Sequence, residues 1–143
     1  MPPDAPSETD LASLRGRSPK EGPVVMLNLL RFHEKAAYAD GRESDLAGEE
    51  AYGLYGAGVT KLILGLGGRP IYYGRCNTLA AGDGELRWEV AAIIEYPSID
   101  AFIGMVSSEA YRDLHVHREA GLADTVVIQC VSPEQAAALA GSG

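Results

Sequence analysis

The chain is short of the residues from which metal sites and nucleophilic centres are usually built: it has three histidines, two cysteines and one tryptophan in 143 residues. The cysteines, Cys76 and Cys130, stand far apart in apolar, strand-like stretches. That spacing suits neither zinc nor dithiol redox chemistry, and both read as small buried thiols. Positive charge is scarce too. Twelve Lys and Arg against twenty Asp and Glu give a formal net charge of −8, which repels phosphate backbones and argues against a nucleic-acid partner. The loose basic cluster Arg15, Arg17 and Lys20 has Pro19 and Gly22 around it and reads as a solvated arm. No apolar run approaches the roughly 18 residues that a membrane helix needs. The opening Met1-Pro2-Pro3-Asp4-Ala5-Pro6-Ser7-Glu8 lacks the basic and apolar regions of a secretory signal. These absences point to a cytoplasmic, water-soluble protein with no membrane partner.

Apolar residues make up 46 % of the chain, and its length suits one domain that buries about two-thirds of its unfolded surface. After a leader with a short helix near Asp10 to Arg15, Val24 to Phe32 has the length and composition of a first strand. His33 to Ala47 is polar and turn-rich, a long loop of the kind that borders sites. From Gly48 the period becomes helical, with Tyr52, Tyr55, Val59, Leu62, Ile63 and Leu66 on one stripe. Gly53, Gly56, Gly58 and Gly65 weaken that helix and suggest close packing on a sheet. Gly67-Gly68 provides a left-handed cap. Arg69 to Leu79 and Trp88 to Tyr96 then read as a hairpin turning at Ala81-Gly82-Asp83-Gly84. Ser98 caps a helix bearing Phe102, Met105 and Val106, a second helical piece runs from Ser108 to about His117, and Asp124 to Val131 is a fourth strand. Ser132-Pro133 opens an alanine-rich helix or tail.

Strand-helix-strand thus occurs twice. The expected architecture is α+β, ferredoxin-like β-α-β-β-α-β, with a four-stranded antiparallel sheet whose middle strands are the first and third. The expected divisions are a flexible arm over 1–21, the domain over 22–131 and a tail over 132–143. Val24 to Leu30, Val90 to Ile94 and Val126 to Ile128 are nearly continuous apolar runs rather than alternating ones, so both sheet faces read as dry. Two helices cover one face. A second copy of the chain is the economical cover for the other, which predicts a homodimer.

The block Gly67 to Arg75, the segment Glu95-Tyr96-Pro97-Ser98 leading into Ala101-Phe102, and Ser107 to Tyr111 followed by His117 to Leu122 resemble a bacterial family of unknown function in the dimeric α/β-barrel superfamily. The resemblance covers about 22–131. It implies a protomer whose sheet packs on that of a twin, with a cleft between sheet and helices or inside the barrel. Relatives in the superfamily include cofactor-free monooxygenases acting on quinols, lactone isomerases, haem-degrading enzymes and stress-induced proteins, so fold does not fix function.

The polar residues set in strands are the candidates for chemistry. Asn28 interrupts an apolar strand, and a buried amide must be satisfied by a neighbour or point at a ligand. Arg31 lies on the opposite face under strict alternation. Tyr73, Arg75 and Asn77 share a face of the second strand. Arg75 suits a carboxylate or enolate and Tyr73 can orient or protonate an oxygen, or the three form the solvated face of an edge strand. Trp88 and Glu95 fall on opposite faces of the third strand, Glu95 being a base or a partner of Arg31 or Arg75. His115 and His117 diverge if their segment is helical and then cannot chelate one metal. The resemblance singles out His117-Arg118, a histidine acid or base beside an arginine that anchors an acid. Gly65-Leu66-Gly67-Gly68 follows a helix and precedes a strand, the reverse of a phosphate-binding turn.

The candidate set is therefore His117 and Tyr73 for catalysis, and Asn28, Arg31, Arg75, Trp88, Glu95 and Arg118 for substrate binding, with no metal and no cofactor. The leading expectation is cofactor-independent binding or conversion of a small carbonyl-bearing or anionic organic molecule. The competing class is a non-catalytic dimeric stress or scaffold protein.

Overall fold

The computed structural model describes residues 7–141. Its elements follow in the order α1 (Glu8–Arg17), β1 (Val24–Phe32), α2 (Gly48–Gly65), β2 (Arg69–Arg75), β3 (Val90–Tyr96), α3 (Ile99–Val106), α4 (Glu109–Gly121), β4 (Leu122–Cys130) and α5 (Pro133–Gly141). The four strands pair antiparallel in the order β2-β3-β1-β4, with β1 and β3 in the middle. This is the ferredoxin-like arrangement expected from the doubled strand-helix-strand pattern.

Local chemistry sets the helix ends. Ser98 Oγ accepts from the Ala101 N–H at 3.0 Å to start α3, and Ser108 Oγ accepts from the Tyr111 N–H at 3.2 Å to start α4. Ala47 has no side chain to cap α2, so Glu50 reaches back to accept from the Ala47 N–H at 2.8 Å. At the far end Gly67 takes φ 91° and Gly68 donates to the Ile63 carbonyl at 2.9 Å, the left-handed termination that glycine permits.

Strand alternation sorts β1 into two faces. Val24, Met26, Leu30 and Phe32 are buried against the helices, where they meet Tyr52, Tyr55, Val59 and Ile63 of α2 and Ile99, Phe102, Ile103 and Met105 of α3. Aromatic edges join the layers, Tyr96 on Phe102 at 5.0 Å and Phe32 on Tyr52 at 5.6 Å between ring centroids. The other face carries Val25, Leu27 and Leu29, paired with Ile93 and Ala91 of β3 and with Val126, Ile128 and Cys130 of β4. No helix of the described chain covers it, and Val126 and Ile128 are 39 % and 48 % exposed.

Several expectations change. The hairpin strands are shorter than read, because residues 76–89 form an exposed connection held at its root by Cys76 N–H donating to the Glu89 carbonyl at 2.9 Å. Gly82 and Gly84 both take positive φ within it, and at its far end the Glu89 N–H donates to the Leu30 carbonyl of β1 at 2.8 Å. The thiols are not both buried: Cys76 is half-buried, and Cys130 is exposed on the open sheet face. The arm expected over 1–21 is, over 8–17, a capped helix. Ser7 Oγ accepts from the Asp10 N–H at 3.1 Å, and Leu11 and Leu14 pack on the core. Arg15 meets Asp100 at 3.1 Å. No helix among the described residues is long and apolar enough to cross a membrane.

Candidate functional site

A cavity of about 160 Å³ lies between the inner face of β1 and β4 and helices α3 and α4, with Leu14 of α1 at its rim. Its sheet side presents Met26 and Asn28 from β1 and Val127 and Gln129 from β4. Alternation puts all four on the helix-facing side, since Met26 pairs with Gln129 and Asn28 with Val127. Its helix side presents Phe102, Met105 and Val106 of α3, Tyr111 and Arg118 of α4, and Tyr55 of α2.

Arg118 is the distinctive member. It is a charged side chain only 4 % exposed, near the end of α4, with its guanidinium 5.8 Å from the centre of the Tyr55 ring. Burying a guanidinium opposes folding unless its surroundings compensate, so such a residue at a cavity wall is a functional candidate on physical grounds.

The tyrosines supply hydroxyls in a dry setting. Tyr55 and Tyr111 bring their oxygens to 3.1 Å of each other. Burial pushes the Tyr55 phenol well above its usual range, helped by the nearby Tyr111, and burial likewise raises Tyr96. Both remain protonated hydrogen-bond groups at neutral pH. Asn28 donates from Nδ2 to the Met26 and Ala92 carbonyls, each at 3.2 Å. Gln129 donates from Nε2 to Ser18 Oγ at 2.7 Å, and Ser18 Oγ donates to the Leu14 carbonyl. That chain of bonds ties α1 to β4 beside the cavity.

Of the residues singled out from the sequence, Asn28 and Arg118 come together here and the others lie elsewhere. His117 is on α4 but meets the long loop, its Nδ1 2.7 Å from the Tyr38 hydroxyl. His115 projects toward the Tyr111 ring, 5.9 Å away between centroids, so the two histidines diverge as a helix requires. Tyr73 and Arg75 face the helix side of edge strand β2, Arg75 bound to Glu49 in the first turn of α2. Arg31 is exposed on the opposite sheet face from Asn28. Glu95 lies on that same face and pairs with Arg69 at 3.1 Å, not with Arg31 or Arg75. Trp88 is half-buried just before β3, with Arg87 over its ring at 5.1 Å. Among the described residues no three His, Cys, Asp or Glu side chains gather in a metal-binding group.

The sequence reading missed Tyr55, Tyr96, Tyr111 and Gln129. Tyr55 was legible only as part of an apolar stripe. The available signal was its hydroxyl, which a core position must satisfy and which leucine or phenylalanine would not bring.

The model of the domain of unknown function DUF1330 matches residues 36–131. The chain belongs to the DUF1330 family. A crystal structure of methylated RPA0582 protein is 35 % identical over 90 % of this chain and 94 % of its own, with a TM-score of 0.78. A second structure, of the RPA0582 protein of unknown function from Rhodopseudomonas palustris, is 33 % identical over 90 % and 96 %, with a TM-score of 0.77. The hydroxynitrile lyase of Passiflora edulis shares the fold at 14 % identity, over 80 % and 96 % with a TM-score of 0.55. No curated protein matches the chain. In this DUF1330 chain the cavity residues Tyr55, Tyr111 and Arg118 all fall inside the matched segment, whereas Leu14, Met26 and Asn28 precede it.

Proposed function

We propose that this DUF1330 protein binds a small anionic or carbonyl-bearing organic molecule in the cavity between sheet and helices, without a cofactor, and that it does so as a homodimer. The observation that carries the binding reading is Arg118, a guanidinium 4 % exposed at the wall of a cavity whose lining also holds tyrosine hydroxyls and the amides of Asn28 and Gln129. A cation in such low-dielectric surroundings attracts an anion, or an oxygen that gains negative charge during reaction, more strongly than one in water does. The buried phenols beside it can donate to the same oxygen. Whether binding leads to turnover depends on chemistry in the ligand.

The homodimer reading rests on the open sheet face. Val25, Leu27, Leu29, Ile93, Val126 and Ile128 form a continuous apolar surface across three adjacent strands, larger and more ordered than the scattered exposed side chains a monomer carries. Its pairing with a twin makes the sheet-on-sheet barrel that the family resemblance implies.

The test of binding is a panel of carboxylates, enolisable acids, lactones, catechols and quinols screened by thermal shift, followed by assay of any ligand for turnover. Arg118→Gln is expected to keep the fold and abolish the stabilisation by anionic members. Stabilisation that survives both Arg118→Gln and the cavity-filling Val127→Trp would show that the ligand sits elsewhere.

A further inference from the structure

Helix α1 precedes the segment matched by the family model, yet it borders the cavity. Leu14 of α1 lines the cavity together with Val106 of α3 and Val127 of β4. These three mark the way in: Val127 is 45 % exposed and Leu14 and Val106 are half-buried, whereas Met26, Tyr96 and Met105 of the same lining are buried. The mouth therefore opens along edge strand β4, with α1 as one of its lips.

Little holds that lip along its length. No residue of α1 is buried, and only Leu11 and Leu14 pack, half-buried, on the core. Arg15 meets Asp100 of α3 at 3.1 Å with both side chains more than half exposed, an ion pair that water and salt weaken. A helix of ten residues also has little stability of its own, since isolated helices shorter than about 12–15 residues are marginal in water.

The firm attachment is a single point just past the helix end. Ser18 is 3 % exposed. Its Oγ donates to the Leu14 carbonyl at 2.5 Å and accepts from Gln129 Nε2 at 2.7 Å. Gln129 belongs to the cavity lining as well, beside Met26, with which it pairs across the sheet. One amide thus serves both the cavity and the helix. Beyond Ser18 the chain turns, with Gly22 at φ 88°, and is pinned again at Pro23, whose carbonyl accepts from Gln135 Nε2 at 2.9 Å. Residues 19–22 form the hinge between these two fixed points.

Building on the cavity reading, we propose that α1 is a movable lid on the ligand cavity, latched by the Gln129–Ser18 hydrogen bond and turning about residues 19–22. Closed, Leu14 narrows the mouth. Open, the helix leaves with its two half-buried leucines while the sheet, α3 and α4 stay packed, a local opening whose cost lies below that of unfolding. A ligand group that draws the Gln129 amide into the cavity releases the latch, so occupancy and lid position are linked through one side chain.

Access to the cavity is read by thiol labelling, which needs no ligand. In a chain carrying Cys76→Ser and Cys130→Ser, a thiol is placed in the cavity by Met26→Cys or elsewhere in the core, on α2, by Ile63→Cys. The two sites are 3 % and 2 % exposed, and reaction with methyl methanethiosulfonate is followed by mass spectrometry. The cavity thiol is expected to react about tenfold faster than the core thiol, or more. Ser18→Ala and Gln129→Leu each remove the latch. Either is expected to speed the cavity thiol a further fivefold or more, roughly, and to leave the core thiol within about twofold. If Ser18→Ala does not fold, Gln129→Leu carries the comparison. A cavity thiol whose rate ignores the latch variants, or rises in step with that of the core thiol, would overturn the lid and leave ligand binding in the cavity to its own thermal-shift test.

Discussion

Tyr52 and Tyr55 sit where an apolar stripe alone would have placed leucine, and their burial has a measurable consequence. Burial pushes the Tyr52 phenol up to about 12, and Tyr55 well above its usual value. In the unfolded chain both ionise near 10. Above that pH the unfolded state releases protons that the folded state retains. Stability is therefore fully present below pH 10 and falls as pH rises toward 12, by up to about 1.4 kcal/mol per pH unit for each phenol. The urea midpoint is expected to hold between pH 8 and 9 and to drop between pH 10 and 11. Tyr52→Phe should make the drop shallower, and an unchanged slope in that variant would show that the phenol does not titrate as described. At this same scale the limits of sequence reading are plain. Asn28 stood out because an amide in an apolar strand demands an explanation, and Arg118 because the family resemblance marked it. Tyr55, Tyr96 and Tyr111 stood out less, since a tyrosine on an apolar stripe is ordinary until its hydroxyl is seen to meet another across 56 residues of chain, as Tyr55 meets Tyr111. His117 and Arg118 are adjacent in sequence, yet a helix turns neighbours about 100° apart, and only Arg118 reaches the cavity.

Among the elements, α2 separates glycines that are needed from glycines that are not. The sequence suggested that its interior glycines pack on the sheet. A Cβ at Gly53, Gly56 or Gly65 would meet nothing within 4 Å, and Gly58 lies against Leu114 of α4, a helix rather than a strand. The tight contact is at the helix start. A Cβ at Gly48 would stand 2.1 Å from the His33 carbonyl oxygen, and one at Gly121 would stand 2.4 Å from the Gly48 carbonyl oxygen. Backbone meets backbone there, so the neighbours cannot yield. Gly48→Ala and Gly121→Ala are each expected to destabilise by about 2–3 kcal/mol, whereas Gly53→Ala should stabilise by about 0.5–1 kcal/mol. Urea denaturation of the three variants separates them, and a neutral Gly48→Ala would contradict the close approach. This junction also anchors the long loop, for the His33 N–H donates to the Gly121 carbonyl at 2.8 Å and Ala37 N–H to the Ala120 carbonyl at 2.9 Å. Helix periods and caps were readable because they depend on neighbours within a turn. The Gly48–Gly121 contact was not, because it joins residues that only the folded sheet brings together. The ends of β2 and β3 were misread for a related reason: β-branched and aromatic content says that a stretch can be a strand, while its length depends on how far the partner strand runs.

For the whole molecule, the question left open by alternation was which sheet face meets the helices. An apolar run such as Val24 to Leu30 shows that both faces are dry without telling them apart. The structure assigns Met26 and Leu30 to the helix-packed core, at 3 % and 0 % exposure, and Leu27 and Leu29 to the open face. Substitutions on one strand, one residue apart, should therefore fail in different ways. Leu30→Asp places a carboxylate in the buried core cluster, where an unpaired charge costs enough, about 3 kcal/mol or more, to unfold the chain. Leu27→Asp and Leu29→Asp should keep native circular dichroism and cooperative unfolding while converting a dimer of the 15.1 kDa chain into a monomer by light scattering. Salt distinguishes the driving force. At a net charge of −8 per subunit two copies repel through solvent, and added salt screens that repulsion without weakening apolar contact, so the wild-type dimer should persist in 1 M sodium chloride. A wild-type chain that scatters as a monomer at micromolar concentration, with native circular dichroism, would overturn the assignment of a second copy to the open face.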